Sequence, residues 1–244
     1  VEDCKKIDIG AAVDNVNIAR REAKKNLENC CVVYDESMKQ EITHSIEIVN
    51  KAKTALKNHE FVVYYQPKIE LKTDTLVGAE ALVRWKKPDG TIVRPDKFIP
   101  YLERNGFIVN VDFYVYEEVC KFIRAHLDAG KKIVPISVNV SRVHLKDPDF
   151  LKIVNGIISK YRIPSDLIEF ELTESVFLEN QNAAIQTMDE LKKLGYLVSI
   201  DDFGSGFSSL DMLMEFDVDA IKLDRRFFAD MENPKLEGLM ASIV

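Results

Sequence analysis

LVSIDDFGSGFSSL, residues 197–210, begins as a strand and breaks off at its most costly point. Leu197, Val198 and Ile200 suit a buried pleat, and then two aspartates, Asp201 and Asp202, stand side by side. Adjacent carboxylates repel one another and resist leaving water. Gly204-Ser205-Gly206 follow, and glycine opens backbone conformations closed to other residues. Paired charge at the mouth of a buried strand fits a parallel α/β sheet, where the loops after the strands converge on one face and carry the chemistry.

The segments around this stretch carry the same alternation. Strand-like runs occur at FVVYYQPKI (61–69), TLVGAEALVRW (75–85), IVPISVNVS (133–141), LIEFELTE (167–174), YLVSID (196–201) and DAIKLD (219–224). Between them, 110–129 places Phe113, Tyr116, Cys120, Ile123 and Leu127 on one helical face and stops at Gly130. Residues 180–194 place Ala184, Met188 and Leu191 likewise and stop at Gly195. Strand-helix alternation implies a parallel sheet, closed as a barrel or open and doubly wound. An eight-stranded barrel typically takes about 250 residues. Residues 60–244 fall short of that, and the chain stops inside a helical pattern, LEGLMASIV (236–244). A barrel here is expected to lack its last units.

Ahead of residue 60 the style differs. Val16, Ala19, Ala23 and Leu27 predict a helix over 11–27, and CCVVYD (30–35) predicts a short strand. Ser37 and Gln40 have capping-box spacing before a second helix over 37–57, polar on its outer faces and suited to a connector. A net charge of −7 argues against duplex nucleic acid as a partner, though bound cations can reverse the local field for a phosphate ester. No apolar run reaches membrane-spanning length, and the acidic start lacks a secretory signal. Cys4, Cys30, Cys31 and Cys120 form no disulfide framework, so a reduced, cytoplasmic chain is expected. The scattered histidines have no zinc-binding spacing.

Polar residues interrupt successive strands: Glu80, Asn139, Glu171, Asp201 with Asp202, and Lys222. Taken singly, a glutamate at a strand end is a solvated terminus, Asn139 a turn residue and Lys222 a salt-bridge partner. As a set, they spend a buried-looking position on each of five strands. Oxygen ligands without His or Cys select a hard cation, Mg²⁺ or Mn²⁺. Divalent ions then make the adjacency of Asp201 and Asp202 tolerable.

YYQPKI (64–69), EALVRW (80–85), SVNVS (137–141), ELTES (171–175), DDFGSGFSSL (201–210) and KLD (222–224) resemble, in order and spacing, the motifs of the EAL domain, over roughly residues 58–244. That family comprises bacterial phosphodiesterases that linearise cyclic di-GMP. The resemblance implies a modified TIM-type (β/α)8 barrel with one early antiparallel strand, here truncated at its C-terminus. It implies that Glu80, Asn139, Glu171 and Asp201 hold a first metal ion, and that Asp201 and Asp202 together hold a second. Lys222 then positions the attacking water, and Glu174 braces the DDFG loop. Gln66, Leu82 and Arg84 receive the substrate, Arg84 through its fork of donors.

NIARREAKKN (17–26) resembles the last helix of a GGDEF domain, without that family's signature loop. The expected organisation is therefore a GGDEF-like remnant over 1–36, a linker helix over 37–57 and an EAL domain over 58–244. A GVE-type glutamate and a QGY-type glutamine, usual in the family beyond KLD, are not found before Val244. Lys68, Ser205 and Phe207 depart from the family's commoner residues and are expected to remove no chemistry. Alternatives to hydrolysis are a cyclic di-GMP receptor without turnover, and a dimerisation module built on DDFGSGFSSL, since the resemblance implies a homodimer.

Overall fold

A computed structural model describes residues 8–24, 31–204 and 217–228. Its sheet starts from an antiparallel hairpin of β1 (Phe61–Glu70) and β2 (Thr75–Lys86). The turn between them closes on Asp74, whose φ of 51° is a left-handed conformation that aspartate tolerates better than most residues. A two-residue strand, β3 (Ile92–Val93), lies antiparallel on the end of β2. From β2 onward the long strands run parallel: β4 (Ile136–Asn139), β5 (Ile168–Thr173), β6 (Leu197–Phe203) and β7 (Ala220–Leu223). The order is β1-β2-β4-β5-β6-β7, with β3 off the path. Among the long strands described, β1 alone runs against its neighbours.

Among the described residues, the connections into β4, β5 and β6 are helical, the usual way to join parallel strands. Ahead of the sheet stand α1 (Ile9–Ala23) and α2 (Glu36–Lys57). Between β3 and β4 come α3 (Ile99–Asn105) and α4 (Ile108–Asp128); α5 (Phe150–Lys160) precedes β5, and α6 (Glu174–Lys193) precedes β6. On α4, Ile108, Val111, Val115, Val119 and Ile123 form a buried stripe at helical spacing. It ends at Gly130, whose φ of 64° no β-carbon obstructs.

Side chains alternate across a strand, so each strand gives one row to the helices and one to the interior. The outer rows are aromatic and aliphatic. Phe61, Trp85 and Phe98 meet with ring centroids 5.4–5.7 Å apart. Tyr65 stacks on Phe122 of α4 at 4.2 Å. Phe170, wholly buried, sits edge-on to Tyr116 and Tyr196.

The inner rows show that the sheet is curled. β2 and β7 are four places apart in the order, about 19 Å in a flat sheet. Yet Lys222 of β7 reaches Glu80 of β2 at 2.8 Å. The strands therefore wrap into a half-barrel around a polar interior.

Each of the six expected strands is present, 133–141 being shortened to Ile136–Asn139. The described sheet is a half-barrel, not a closed ring of eight strands, and the helical pattern at 236–244 lies outside the described residues. The strand expected at 30–35 is absent over its described part, 31–35. The expected cap also moves: α2 opens at Glu36, and the Asp35 carboxylate, not Ser37, accepts the Ser37 backbone N–H at 2.8 Å. Residues up to Thr54 and those from Ala55 onward form two compact units. In the first, α1 exposes Ile9, Val13 and Val16. No helix among the described residues is long and apolar enough to cross a membrane.

Candidate active site

Trp85 of β2 is buried against the aromatic cluster, which turns the alternate residues Glu80, Leu82 and Arg84 to the interior. The same parity sends Ser137 and Asn139 inward from β4, Glu169 and Glu171 from β5, Asp201 from β6 and Lys222 from β7. Apolar residues between them, such as Val138, Phe170 and Ile200, are buried on the outer side.

Carboxylate oxygens of Glu80, Glu171 and Asp201 lie within 4.8 Å of one another. The Lys222 ammonium joins them, at 2.8 Å from Glu80 Oε2, 2.8 Å from Glu171 Oε2 and 3.1 Å from Asp201 Oδ2. Asn139 donates from Nδ2 to Glu80 Oε1 at 3.1 Å. Burial is the strongest single influence on Glu171 and opposes its charge. Lys222, a hydrogen bond from Ser137 and the charge of Lys68 together override it, so the carboxyl stays below its usual range. Burial likewise presses Lys222 to lose its proton, and Glu171 and Glu80 reverse the balance and raise its pKa. Three close carboxylates are tolerable in this interior only with positive charge among them.

Asp202 stands outside that trio. Consecutive strand residues point to opposite faces, but Asp202 has a left-handed φ of 53°, and the β6–β7 register shifts between Ile200 and Phe203. Its backbone N–H donates to Asp201 Oδ1 at 2.8 Å. Burial, then Asp201 and Asp224, raise its pKa against the opposing pull of Lys222 and Arg226. The repulsion of the adjacent aspartates is thus present in the fold. Fully buried Glu174, first residue of α6, accepts the Gly204 N–H on Oε2 at 2.7 Å and so ties the turn after β6 to β5 and α6. Residues 205–216 lie outside the described residues, and with them Ser205, Phe207 and most of the stretch expected to dimerise.

Beside the carboxylates opens a cavity of about 500 Å³, within the range of small-molecule sites. Glu80, Leu82, Arg84 and Asn139 line it, together with Pro95 and Ile99. The Arg84 guanidinium donates to the Val83 carbonyl at 2.9 Å and sits 6.0 Å from the Tyr64 ring centroid. Gln66 faces Glu80 across the β1–β2 ladder, but it is exposed and not among the cavity's lining residues.

One partner was missed in the sequence. Lys68 of β1, credited with no chemistry, reaches Glu171 Oε1 at 2.9 Å and both oxygens of Glu169 at 3.0 and 3.1 Å. Its parity with Gln66 on β1 was the available signal, since alternate residues of one strand share a face.

The donor set fits a hard cation: three carboxylates and an amide side chain, all oxygen ligands, converge from four strands. A sequence profile described as the EAL domain matches residues 49–244. The signaling protein YkoW of Bacillus subtilis is 35% identical over 191 residues, covering 78% of this chain and 24% of YkoW. The cyclic di-GMP phosphodiesterase PdeR of Escherichia coli is 32% identical over 238 residues, covering 97% of this chain and 36% of PdeR. The chain thus spans just under a quarter of YkoW and just over a third of PdeR. Among solved structures, the PaMucR phosphodiesterase in complex with c-di-GMP superposes with a TM-score of 0.75 at 28% identity, over 81% of this chain and 80% of that one. The MucR protein is from Pseudomonas aeruginosa.

Proposed function

The chain belongs to the EAL domain family, and on that premise we propose that it hydrolyses cyclic di-GMP to linear pGpG with two divalent ions, Mg²⁺ or Mn²⁺. The observation that carries this reading is the convergence of Glu80, Glu171 and Asp201 within 4.8 Å at the edge of a cavity lined by Leu82 and Arg84.

Glu80, Asn139, Glu171 and Asp201 hold the first ion in this reading, and Asp201 with Asp202 the second. Bound there, such ions supply a nucleophile from water at neutral pH and offset the charge of the departing oxygen. Arg84 receives a phosphate through its planar fork, Leu82 packs beside it, and Gln66 meets the substrate from β1. Water attacks phosphorus, the bond to the 3′ oxygen breaks, and that oxygen takes up a proton. Lys222, whose ammonium lies 2.8–3.1 Å from Glu80, Glu171 and Asp201, serves as a donor that orients the water. Glu174 keeps the turn after β6 in register with Asp201 and Asp202 through Gly204. The residues before the domain we read as the end of a GGDEF-like region, 1–36, joined by the helix over 37–57.

The test is incubation of the chain with cyclic di-GMP and Mn²⁺, with product separated by chromatography. Formation of pGpG that stops on addition of a chelator is expected. Tight binding of cyclic di-GMP without turnover in the presence of metal points to a receptor instead.

A further inference from the structure

Lys68 stands opposite Gly78 in the β1–β2 ladder, at a register shift between Lys68 and Ile69. Bulges of this kind re-aim a side chain. A β-carbon built on Gly78 would lie 3.3 Å from Lys68 Cδ, so the lysine stem crosses the glycine where any larger residue would crowd it. At the end of that stem, the ammonium takes Glu171 Oε1 at 2.9 Å while Lys222 takes Glu171 Oε2 at 2.8 Å. Glu171 is thus held by two ammonium groups from the two end strands of the sheet order, β1 and β7.

The charges in this interior are informative. Four carboxylates (Glu80, Glu169, Glu171 and Asp201) face two ammonium groups, Lys68 and Lys222. The formal remainder is −2, before Asp202 is counted. Without Lys68 it becomes −3, and a buried, unpaired carboxylate is costly.

From these contacts we infer that Lys68 is a positioning residue of the cation site: a built-in counter-ion, laid across Gly78 from the antiparallel strand, that fixes one oxygen of Glu171 and sets how tightly divalent ions bind. The inference rests on reading Glu80, Glu171 and Asp201 as cation ligands. Lys68 touches neither substrate nor water in this role. It neutralises Glu169 and Glu171 when no ion is bound, and its charge opposes an incoming ion.

The experiment titrates Mn²⁺ into the chelator-treated 244-residue chain by calorimetry, alongside K68M, E169Q and K68M/E169Q. Mn²⁺ is expected to bind K68M about ten-fold more tightly than the parent, because a nearby positive charge is gone. K68M should also melt at a lower temperature than the parent before metal is added. E169Q should bind more weakly than the parent, and the double variant, whose formal charge equals the parent's, should return close to parental affinity. Unchanged or weaker binding by K68M overturns the inference while leaving the metal-dependent reading in place. A parent chain that binds no Mn²⁺ overturns both. Should K68M not fold, the double variant decides: it must bind Mn²⁺ more tightly than E169Q, and a lysine that only props up the barrel gives the opposite order.

Discussion

Lys222 on β7 and Glu80 on β2 sit at strands four places apart in the sheet, and their Nζ and Oε2 atoms are 2.8 Å apart. That contact spans the curled interior and joins the KLD word to the EAL word. The same ammonium holds Glu171 and Asp201, so one side chain organises three acids drawn from three other strands. Its removal is the most informative single change at the site.

Lys222→Met should lower turnover about 100-fold or more, a typical loss when a positioned hydrogen-bond donor is removed from a reaction site. It should also destabilise the metal-free chain by about 3 kcal/mol, because breaking a buried ion pair leaves charge uncompensated. Steady-state kinetics and chemical denaturation read the two effects separately. Parental turnover in this variant would falsify the assignment of Lys222.

Arg84 tests the substrate cavity independently of the metal site. Arg84→Ala is expected to weaken cyclic di-GMP binding about ten-fold, the loss of a charge-assisted, bidentate contact. Its Mn²⁺ affinity should match the parent's. A fall in both affinities together would place Arg84 among the groups that shape the carboxylates.

Glu174 is wholly buried and takes the Gly204 N–H at 2.7 Å. Glu174→Ala leaves that donor without its acceptor, a cost of about 1–3 kcal/mol. Amide exchange at Gly204 should speed up and turnover should drop. Cyclic di-GMP binding through Arg84 should be kept. Slow exchange at Gly204 in the variant contradicts the bracing role.

Glu117 gives a pH dependence remote from the site. Hydrogen bonds from Lys160 and then Tyr161 hold its carboxyl below the usual value. The sign follows: the contribution is complete above the ordinary carboxyl pKa and is lost as pH falls through the lowered folded value. Lys160 is largely exposed, so screening limits the effect to a few tenths of a kcal/mol. Glu117→Gln should flatten the acid limb of stability against pH by that amount and leave the melting temperature unchanged once pH lies below the lowered folded value.

Phe170 probes the outer packing. Phe170→Ala should cost about 3–5 kcal/mol, since the side chain is fully buried between Tyr116 and Tyr196. Equilibrium denaturation with urea measures it, and a loss under 1 kcal/mol would mean that α4 closes over the gap.

The sequence by itself determined the strands, their alternation with helices and the row of polar residues that interrupts them. These are local signals. Period-two alternation around Glu80 and Asp201, and the stops at Gly130 and Gly195, depend only on neighbouring residues. Ordered motifs likewise placed the chain in its family. Only the tertiary structure decided which charges meet. Lys68 and Glu171 are far apart in the chain, and no local pattern reports that a bulge and the bare backbone of Gly78 let one reach the other. The strand expected at 30–35 is absent over 31–35 for a related reason: a short apolar, β-branched run proposes a strand, but hydrogen bonds to a partner strand are what make one. Asp201 and Asp202 show both halves at once. Their adjacency is written in the chain, whereas the left-handed turn at Asp202 and the counter-charge from β7 that make it bearable come from strands brought together by folding.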